Sequence, residues 1–333
     1  MRTAIIIHGN LRTFFMPIRG HHARICDVFK SNVVDPNSPD LFLVTDTTDF
    51  FFGGAQYFAS DREIETVNND SFRLHDRIEF TTNDVAKDLL DRELRTFFGS
   101  TIKHLQINVP YDHSQDDKFK LLKESNAGGY NPALMVQQYR KIKLGYTALL
   151  DHEKSTGIKY DVIMKTRFDN LFPINQNLHF GNYDFQRFDV YIPSERGPII
   201  HDWFGFGNRK AMDLYLSLYD RLGFTLAEPY FFCECPRCHN IVYHGPKRNG
   251  EKCDSCNVEA GYGEITLASE YNLYRTFKDH GIRVGNSGYP ACPFRYKDTS
   301  NRTTIEEAIK NLQLTNVKVK NFAGNIEDIR KFE

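Results

Sequence analysis

Lys165, Arg167 and Asp169 stand at alternate positions directly after a short apolar run, Val162 to Met164. Strand side chains alternate faces, so this spacing places all three on one side. A run that is apolar first and charged last reads as a buried strand ending at a site. Pro173, which cannot extend a sheet ladder, closes it. In open α/β sheets, ligands bind beyond the carboxyl ends of the strands. A carboxylate there suits Mg²⁺ or Mn²⁺, which takes one or two protein carboxylates and completes its shell with phosphate oxygens and water. On the residues alone, an Arg167–Asp169 ion pair that merely closes the strand end is an equal alternative.

A second group of residues with chemistry in it is Cys235-Pro236-Arg237-Cys238 with Cys253-Asp254-Ser255-Cys256, two C-x-x-C knuckles fourteen residues apart. This is the spacing of a zinc ribbon, in which each knuckle gives two thiolates to a tetrahedral Cys₄ site. Such a site has no open position, so its role is structural. Cys233, His239 and His244 lie close by as substitute ligands. Residues 239–245 and 247–250 read as a hairpin between the knuckles.

Three stretches carry a family resemblance. Tyr160 to Asp169 resembles the "YDxVIxxRxD" segment of viral and bacterial GT-A glycosyltransferases of capsule, lipopolysaccharide and virion-glycan synthesis, in which R-x-D replaces D-x-D. Ile5 to Phe14 resembles their first strand and nucleotide loop, and Asp202 to Gly207 their later "D-x-F-x-x-G" segment. Ser269-Glu270 adds a fourth point of likeness. The resemblance implies a GT-A-like, mainly parallel α/β sheet flanked by helices, and transfer of a sugar from a nucleotide-sugar donor to a glycan or glycoconjugate acceptor. It implies that His8, Gly9, Asn10, Arg12, Asp46 and Lys141 hold the nucleotide, with Gln138 as the alternative to Lys141 on a helix that borders the donor. Asp169 would take Mn²⁺ or Mg²⁺ with Arg167 assisting, and Asp202 or Glu270 would serve as base or face the acceptor. Each residue also has a plainer reading: a strand-to-helix turn for His8 to Arg12, a turn cap for Asp46, a solvated helix face for Gln138 and Lys141, and a helix-dipole partner for Glu270.

The elements that must position these residues follow a strand–helix–strand order, which argues for a parallel sheet. Ala4 to Ile7 and Leu41 to Val44 read as buried strands, with a helix from His21 to Lys30 and a turn cluster from Asp35 to Asp40 between them. Asp84 to Phe98 has a helical pattern, and Asp112 to Asp117 reads as an exposed loop. Pro132, well placed at a first helical position, opens a long helix to His152. Val190 to Pro193 reads as an edge strand and Ile199 to Gly207 as a strand carrying Trp203, the only tryptophan, beside Asp202 as a sugar platform. Asn208 to Leu222 and Thr266 to Phe277 read as helices, Ile282 to Val284 as a last strand, and Thr304 to Leu312 as a final helix. The domain plan is thus 1–225 for the nucleotide-sugar-binding and catalytic part, 226–265 for an inserted zinc ribbon, and 266–333 for a return to the first domain.

Composition narrows the field. The 333 residues are 41% hydrophobic and 26% charged, as in globular proteins, and 42 basic against 43 acidic residues give a net charge of −1. That balance does not describe a general nucleic-acid or membrane binder, and no apolar run is long enough for a membrane span. Met1-Arg2-Thr3 leads straight into a strand, so no signal peptide is expected, and paired C-x-x-C cysteines fit a reducing compartment. The expectation is a cytoplasmic protein, in the host cytoplasm if viral. Two rival readings stay open. One is a zinc-ribbon module binding nucleic acid or protein, with Lys247, Arg248 and Lys252 as a small basic patch on a non-catalytic scaffold. The other is a nucleotidyltransferase using the same metal carboxylate.

Overall fold

Apolar runs with few polar interruptions become the central strands. The structure, a computed structural model, describes residues 1–11, 14, 23–46, 83–108, 115–124, 132–193, 195–196, 199–200, 202–226, 230–233, 241–244, 262–265, 269–289, 291–293, 317–320 and 326–329. Strands β1 (Thr3–His8), β2 (Asp40–Asp46), β3 (Ile102–Asn108), β4 (Val162–Arg167), β5 (Val190–Ile192), β6 (Gly205–Asn208) and β7 (Val284–Asn286) form one seven-stranded sheet of order β7-β5-β6-β4-β1-β2-β3. Of its pairings, β1–β2, β1–β4, β2–β3 and β7–β5 are parallel, while β6 runs antiparallel to both β4 and β5. The sheet is therefore mixed α/β and mostly parallel, as the strand–helix alternation implies.

The chain leaves β1 for β2 and β3 on one side, then returns to β4 on the other. The boundary between β1 and β4 is the point where the strand order reverses, and the crevice beyond the carboxyl ends there is the usual ligand position of open α/β sheets.

Alternation divides the core. Ile5, Ile7, Leu41, Leu43, Val162 and Met164 pack on one face, against helix α1 (Ile25–Phe29) and helix α2 (Asn83–Phe98). Ala4, Ile6, Phe42 and Ile163 pack on the other with Val136, Tyr139, Ile142 and Leu149 of the 25-residue helix α3 (Pro132–Thr156). Continuing the alternation puts His8, Asp46, Lys165 and Arg167 on the α3 side. Gly145 lets α3 lie close to the sheet: a Cβ there would sit 2.6 Å from Ile6 Cγ2.

Several elements differ from the sequence expectation. The first helix is shorter than His21 to Lys30, and Lys30–Val34 and Asp35–Asn37 continue it as a π turn and a further helical turn, so helix replaces the start of the expected turn cluster. That helix stops at Ser38, which takes the left-handed conformation with φ 45°. Asp116 is buried rather than in an exposed loop, because its carboxylate accepts the Tyr219 hydroxyl at 2.7 Å and the Lys118 amide at 2.8 Å. β5 is interior, not an edge, since β7 adds to its outer side. The strand expected over Ile199 to Gly207 is two pieces, Ile199–Ile200 and Gly205–Asn208, with Asp202 to Phe204 in the connection. The helix after it breaks at Ser217 into α4 (Arg209–Leu216) and α5 (Leu218–Leu226). Asn208 caps the first of these, its side chain accepting the Ala211 amide at 3.1 Å. Helix α6 is Ser269–Asp279, and the last strand of the sheet lies at Val284–Asn286. The expected helix over 304–312 lies outside the described residues.

In the insert, Tyr230–Cys233 pairs antiparallel with both Ile241–His244 and Tyr262–Ile265. The described strand Ile241–His244 thus takes its partner from before the first knuckle. Cys235, Cys238, Cys253 and Cys256 lie outside the described residues. Among the described residues, no helix is long and apolar enough to cross a membrane.

Candidate functional site

The residues with chemistry in them gather at the carboxyl ends of β1, β2 and β4. His8 ends β1 and pairs in register with Arg167, the last residue of β4, across the reversal point. Beyond His8 the chain turns through Gly9, whose φ of 102° favours glycine, and its amide donates to the Val44 carbonyl at 3.1 Å. Asn10 follows. Asp46 ends β2, beside these residues on the α3 face.

Helix α3 supplies the other side. Gln138, Lys141, Ile142 and Gly145 are spaced to share one helix face. The close approach at Gly145 presses that face onto the strand ends. Lys141, only 7% exposed, bonds both the Asp46 carboxylate and the Asn10 side-chain carbonyl. Three of the residues assigned to nucleotide binding by resemblance are therefore brought together, and Lys141 is not on a solvated face.

Arg167 and Asp169 form a two-bonded ion pair: Nε donates to Oδ1 at 2.7 Å and Nη2 to Oδ2 at 2.8 Å. Lys165 and Arg167 follow the strand alternation, but the strand ends at Arg167 and Asp169 stands in the turn that brings it under the guanidinium. Each Asp169 oxygen accepts one of these bonds. Among the described residues no group of three or more His, Cys, Asp or Glu side chains could hold a metal ion. A cation that takes one protein carboxylate and fills its shell from phosphate and water would ask for no more than Asp169.

The charges converge on His8. It is 1% exposed, and neither ring nitrogen has a hydrogen-bond partner. Burial, then the positive charges of Lys165, Arg167 and Lys141, hold its imidazole neutral, well below the ordinary histidine range. A buried, unpartnered imidazole costs free energy unless something bonds it.

Lys165 is fully buried on the central strand. Its ammonium donates to the Asp202 backbone carbonyl and to the Tyr215 hydroxyl at 3.3 Å, and stands 5.2 Å from the Tyr215 ring centre. Tyr215 Oη donates to the same carbonyl at 3.0 Å. Gln138 Nε2 donates to Asp202 Oδ2 at 2.5 Å. Asn170 Nδ2 donates to the Trp203 carbonyl at 2.9 Å and to Thr166 Oγ1 at 2.9 Å. The Asp202–Trp203 connection is thus pinned at the end of β4. Lys165 has no role of its own in the sequence reading, and the resemblance places Gln138 beside the donor, whereas it bonds Asp202. A glycine inside a long helix, four and seven residues after Lys141 and Gln138, is the signal that marks their face as inward.

Glu270 lies in the first turn of α6. Arg12 lies outside the described residues.

No protein-family model matches this chain, and no curated protein matches it. It is similar to a crystal structure of a nucleoside-diphosphate-sugar pyrophosphorylase from Vibrio cholerae RC9, at 10% identity and a TM-score of 0.31, over 85% of this chain and 90% of that one. A likeness of that degree carries no weight for function.

Proposed function

We propose that the chain is a nucleotide-sugar-dependent glycosyltransferase of GT-A-like design. The observation that supports it most is the convergence of Lys141, Lys165 and Arg167 on the buried, unpartnered His8, with Asp169 alongside, at the strand-order reversal. Cations around a crevice at that point suit a diphosphate, and polar side chains without partners suit a ligand that supplies them.

In this reading Gly9, Asn10 and Arg12 line the nucleotide loop. Lys141 keeps Asp46 and Asn10 in place for the nucleoside. Arg167 sets the orientation of Asp169 and lends positive charge to the diphosphate. A divalent cation held by Asp169 would offset the charge that gathers on the leaving diphosphate. The acceptor hydroxyl oxygen bonds to the anomeric carbon as the bond from that carbon to the diphosphate oxygen breaks, with its electron pair leaving on the diphosphate. In an inverting transfer the acceptor proton passes to a carboxylate within hydrogen-bond reach. We assign that base to Asp202, with Glu270 as the second candidate. The four cysteines Cys235, Cys238, Cys253 and Cys256, by their C-x-x-C spacing, would hold a structural zinc in the insert.

The test is a thermal-shift panel of UDP, GDP, CMP and dTDP sugars, with and without Mn²⁺. A ligand at a hundred times its Kd adds about 2.7 kcal/mol of stability. Stabilisation by one nucleotide class, larger with Mn²⁺, is expected. No stabilisation by any of them would overturn the reading. Product analysis then separates glycosyl transfer from nucleotidyl transfer: release of nucleoside diphosphate, or of CMP from a CMP sugar, supports the first, and release of sugar 1-phosphate from a nucleoside-diphosphate sugar the second.

A further inference from the structure

Among the described residues, the buried carboxylates other than Asp46, which pairs with Lys141, are treated in two ways. Asp116 accepts Lys118 N on one oxygen and Tyr219 Oη on the other. Glu153 accepts Tyr160 N and Arg209 Nη1 on Oε1 and Lys159 Nζ on Oε2. Asp169 is gripped on both oxygens by Arg167. Asp189 accepts Asn208 Nδ2 and Arg283 Nη2 on Oδ1, and Arg283 N and Nε on Oδ2. These four are bonded on both oxygens, Asp116, Glu153 and Asp189 as structural carboxylates are and Asp169 by the guanidinium that orients it.

Asp202 is as buried as they are, at 3% exposure, yet among the described residues only Oδ2 is bonded, by Gln138. Among the described residues none donates to Oδ1. The donor on Oδ2 is a neutral amide, which holds a carboxylate without cancelling its charge. Lys165 donates to the backbone carbonyl of the same residue. Burying an ammonium on a central strand is costly. It is also redundant as a simple tie, because Tyr215 Oη already donates to that carbonyl.

We propose that Gln138 and Lys165 are positioning residues for Asp202. Gln138 fixes the carboxylate through Oδ2, Lys165 fixes the backbone that carries it, and Oδ1 is left to meet the acceptor hydroxyl. This rests on the assignment of Asp202 as the base. Helix α3 then serves both halves of the reaction from one face: Lys141 steadies the nucleotide side, and Gln138, one turn earlier, aims the acceptor side.

The test measures release of the nucleotide leaving group, nucleoside diphosphate or CMP, from whichever nucleotide sugar stabilises the protein, with water or glycan as acceptor, in four variants. Gln138→Met keeps the length of the side chain and loses the donor. It is expected to lower kcat by roughly tenfold to a hundredfold, the usual cost of a misplaced catalytic group, while donor KM stays within about threefold. Lys165→Met is expected to lower kcat similarly and to melt no lower than the wild type, since Tyr215 keeps the carbonyl bonded. Lys141→Met is the contrast, raising donor KM. A merely structural role for Gln138 would move stability and not separate kcat from KM. Asp202→Asn tests the underlying assignment. If Asp202→Asn is inactive while Gln138→Met and Lys165→Met turn over like the wild type, the positioning role is wrong and the base assignment stands. If Asp202→Asn turns over normally, the base assignment fails and the proposal with it. A wild-type protein that binds no nucleotide sugar overturns both.

Discussion

His8 and Arg167 sit opposite each other as register partners on adjacent parallel strands, at the one boundary in the sheet where the chain turns from building on one side of β1 to building on the other. Neither side chain belongs to the apolar layers that hold those strands. His8 brings polar nitrogens without partners, and Arg167 brings a guanidinium already committed to Asp169. The pairing sets a neutral ring among three cations, an arrangement that an anionic ligand with its own hydrogen-bonding groups would complete.

The Arg167–Asp169 pair separates the metal reading from the purely structural one. Asp169→Asn leaves a guanidinium at 11% side-chain exposure against a neutral amide. A charged hydrogen bond is worth about 1.5–3 kcal/mol, so unfolding by urea should show a loss of that order. If Asp169 also carries the cation, the Mn²⁺-dependent part of nucleotide stabilisation disappears in Asp169→Asn and survives in Arg167→Met, which keeps the carboxylate. Equal Mn²⁺ responses in both variants would falsify the assignment of Asp169 as a metal ligand.

His8 makes stability depend on pH in a stated direction. Its imidazole is held neutral in the folded chain and titrates near its ordinary value of about 6.5 once unfolded. Below that value the unfolded chain binds a proton that the folded one does not. Stability therefore falls as pH falls from about 6.5 toward the depressed folded value, with a slope approaching about 1.4 kcal/mol per pH unit from this group. His8→Gln removes the term. Urea midpoints measured from pH 7.5 to 5 should fall less steeply in His8→Gln than in the wild type. Parallel profiles would show that His8 is not held neutral.

Strands buried on both faces were legible, because Ile5 to Ile7, Leu41 to Val44 and Val162 to Met164 are uninterrupted apolar runs. β3 was not, since Ile102 to Asn108 mixes Lys103, His104 and Gln106 with apolar residues, as suits a half-exposed strand at the end of the sheet. β5 looked like an edge because nothing local announces that β7, far along the chain, will pair with its outer side. At the site, residue type and strand end pointed to Arg167 and Asp169, and the resemblance to Asp46. The partners on α3 were hidden by a different cause. A helix with Lys, Arg and Gln on its polar side reads the same whether that side meets water or the end of a sheet, and only the packing at Gly145 decides it. The same holds for Asp202, whose two carboxylate oxygens are distinguished only by what surrounds them.

The insert is tested by its metal. With Cys₄ ligation by Cys235, Cys238, Cys253 and Cys256, the purified protein should contain one zinc per chain by elemental analysis. Zinc binding contributes on the order of 10 kcal/mol to ordering such a module. Cys235→Ser with Cys253→Ser should remove the zinc and make the segment from 226 to 265 sensitive to limited proteolysis. The rest of the chain should keep its melting transition. Full zinc content in the double variant would remove these cysteines from the site.

The contact between Gly145 and Ile6 is expected to set the distance between α3 and β1. In Gly145→Ala the new Cβ would lie 2.6 Å from Ile6 Cγ2 and 3.5 Å from Val44 Cγ2, so the helix or the strand must shift. Overpacking of this kind costs about 1–3 kcal/mol, more than the roughly 1 kcal/mol that alanine gains over glycine within a helix. Helix α3 moves as a rigid element, so Lys141 and Gln138 move with it, and donor affinity should weaken although neither residue is changed. Ile6→Ala removes Cγ2 and should cost about 2–5 kcal/mol alone through the cavity it leaves. Combined with Gly145→Ala, part of that cavity is refilled. The double variant should be more stable than the sum of the two single losses by roughly 0.5–3 kcal/mol, and nucleotide stabilisation should return toward the wild-type value. Strict additivity would mean that the two residues do not press on each other, and that the spacing of α3 from the strand ends is set elsewhere along the helix.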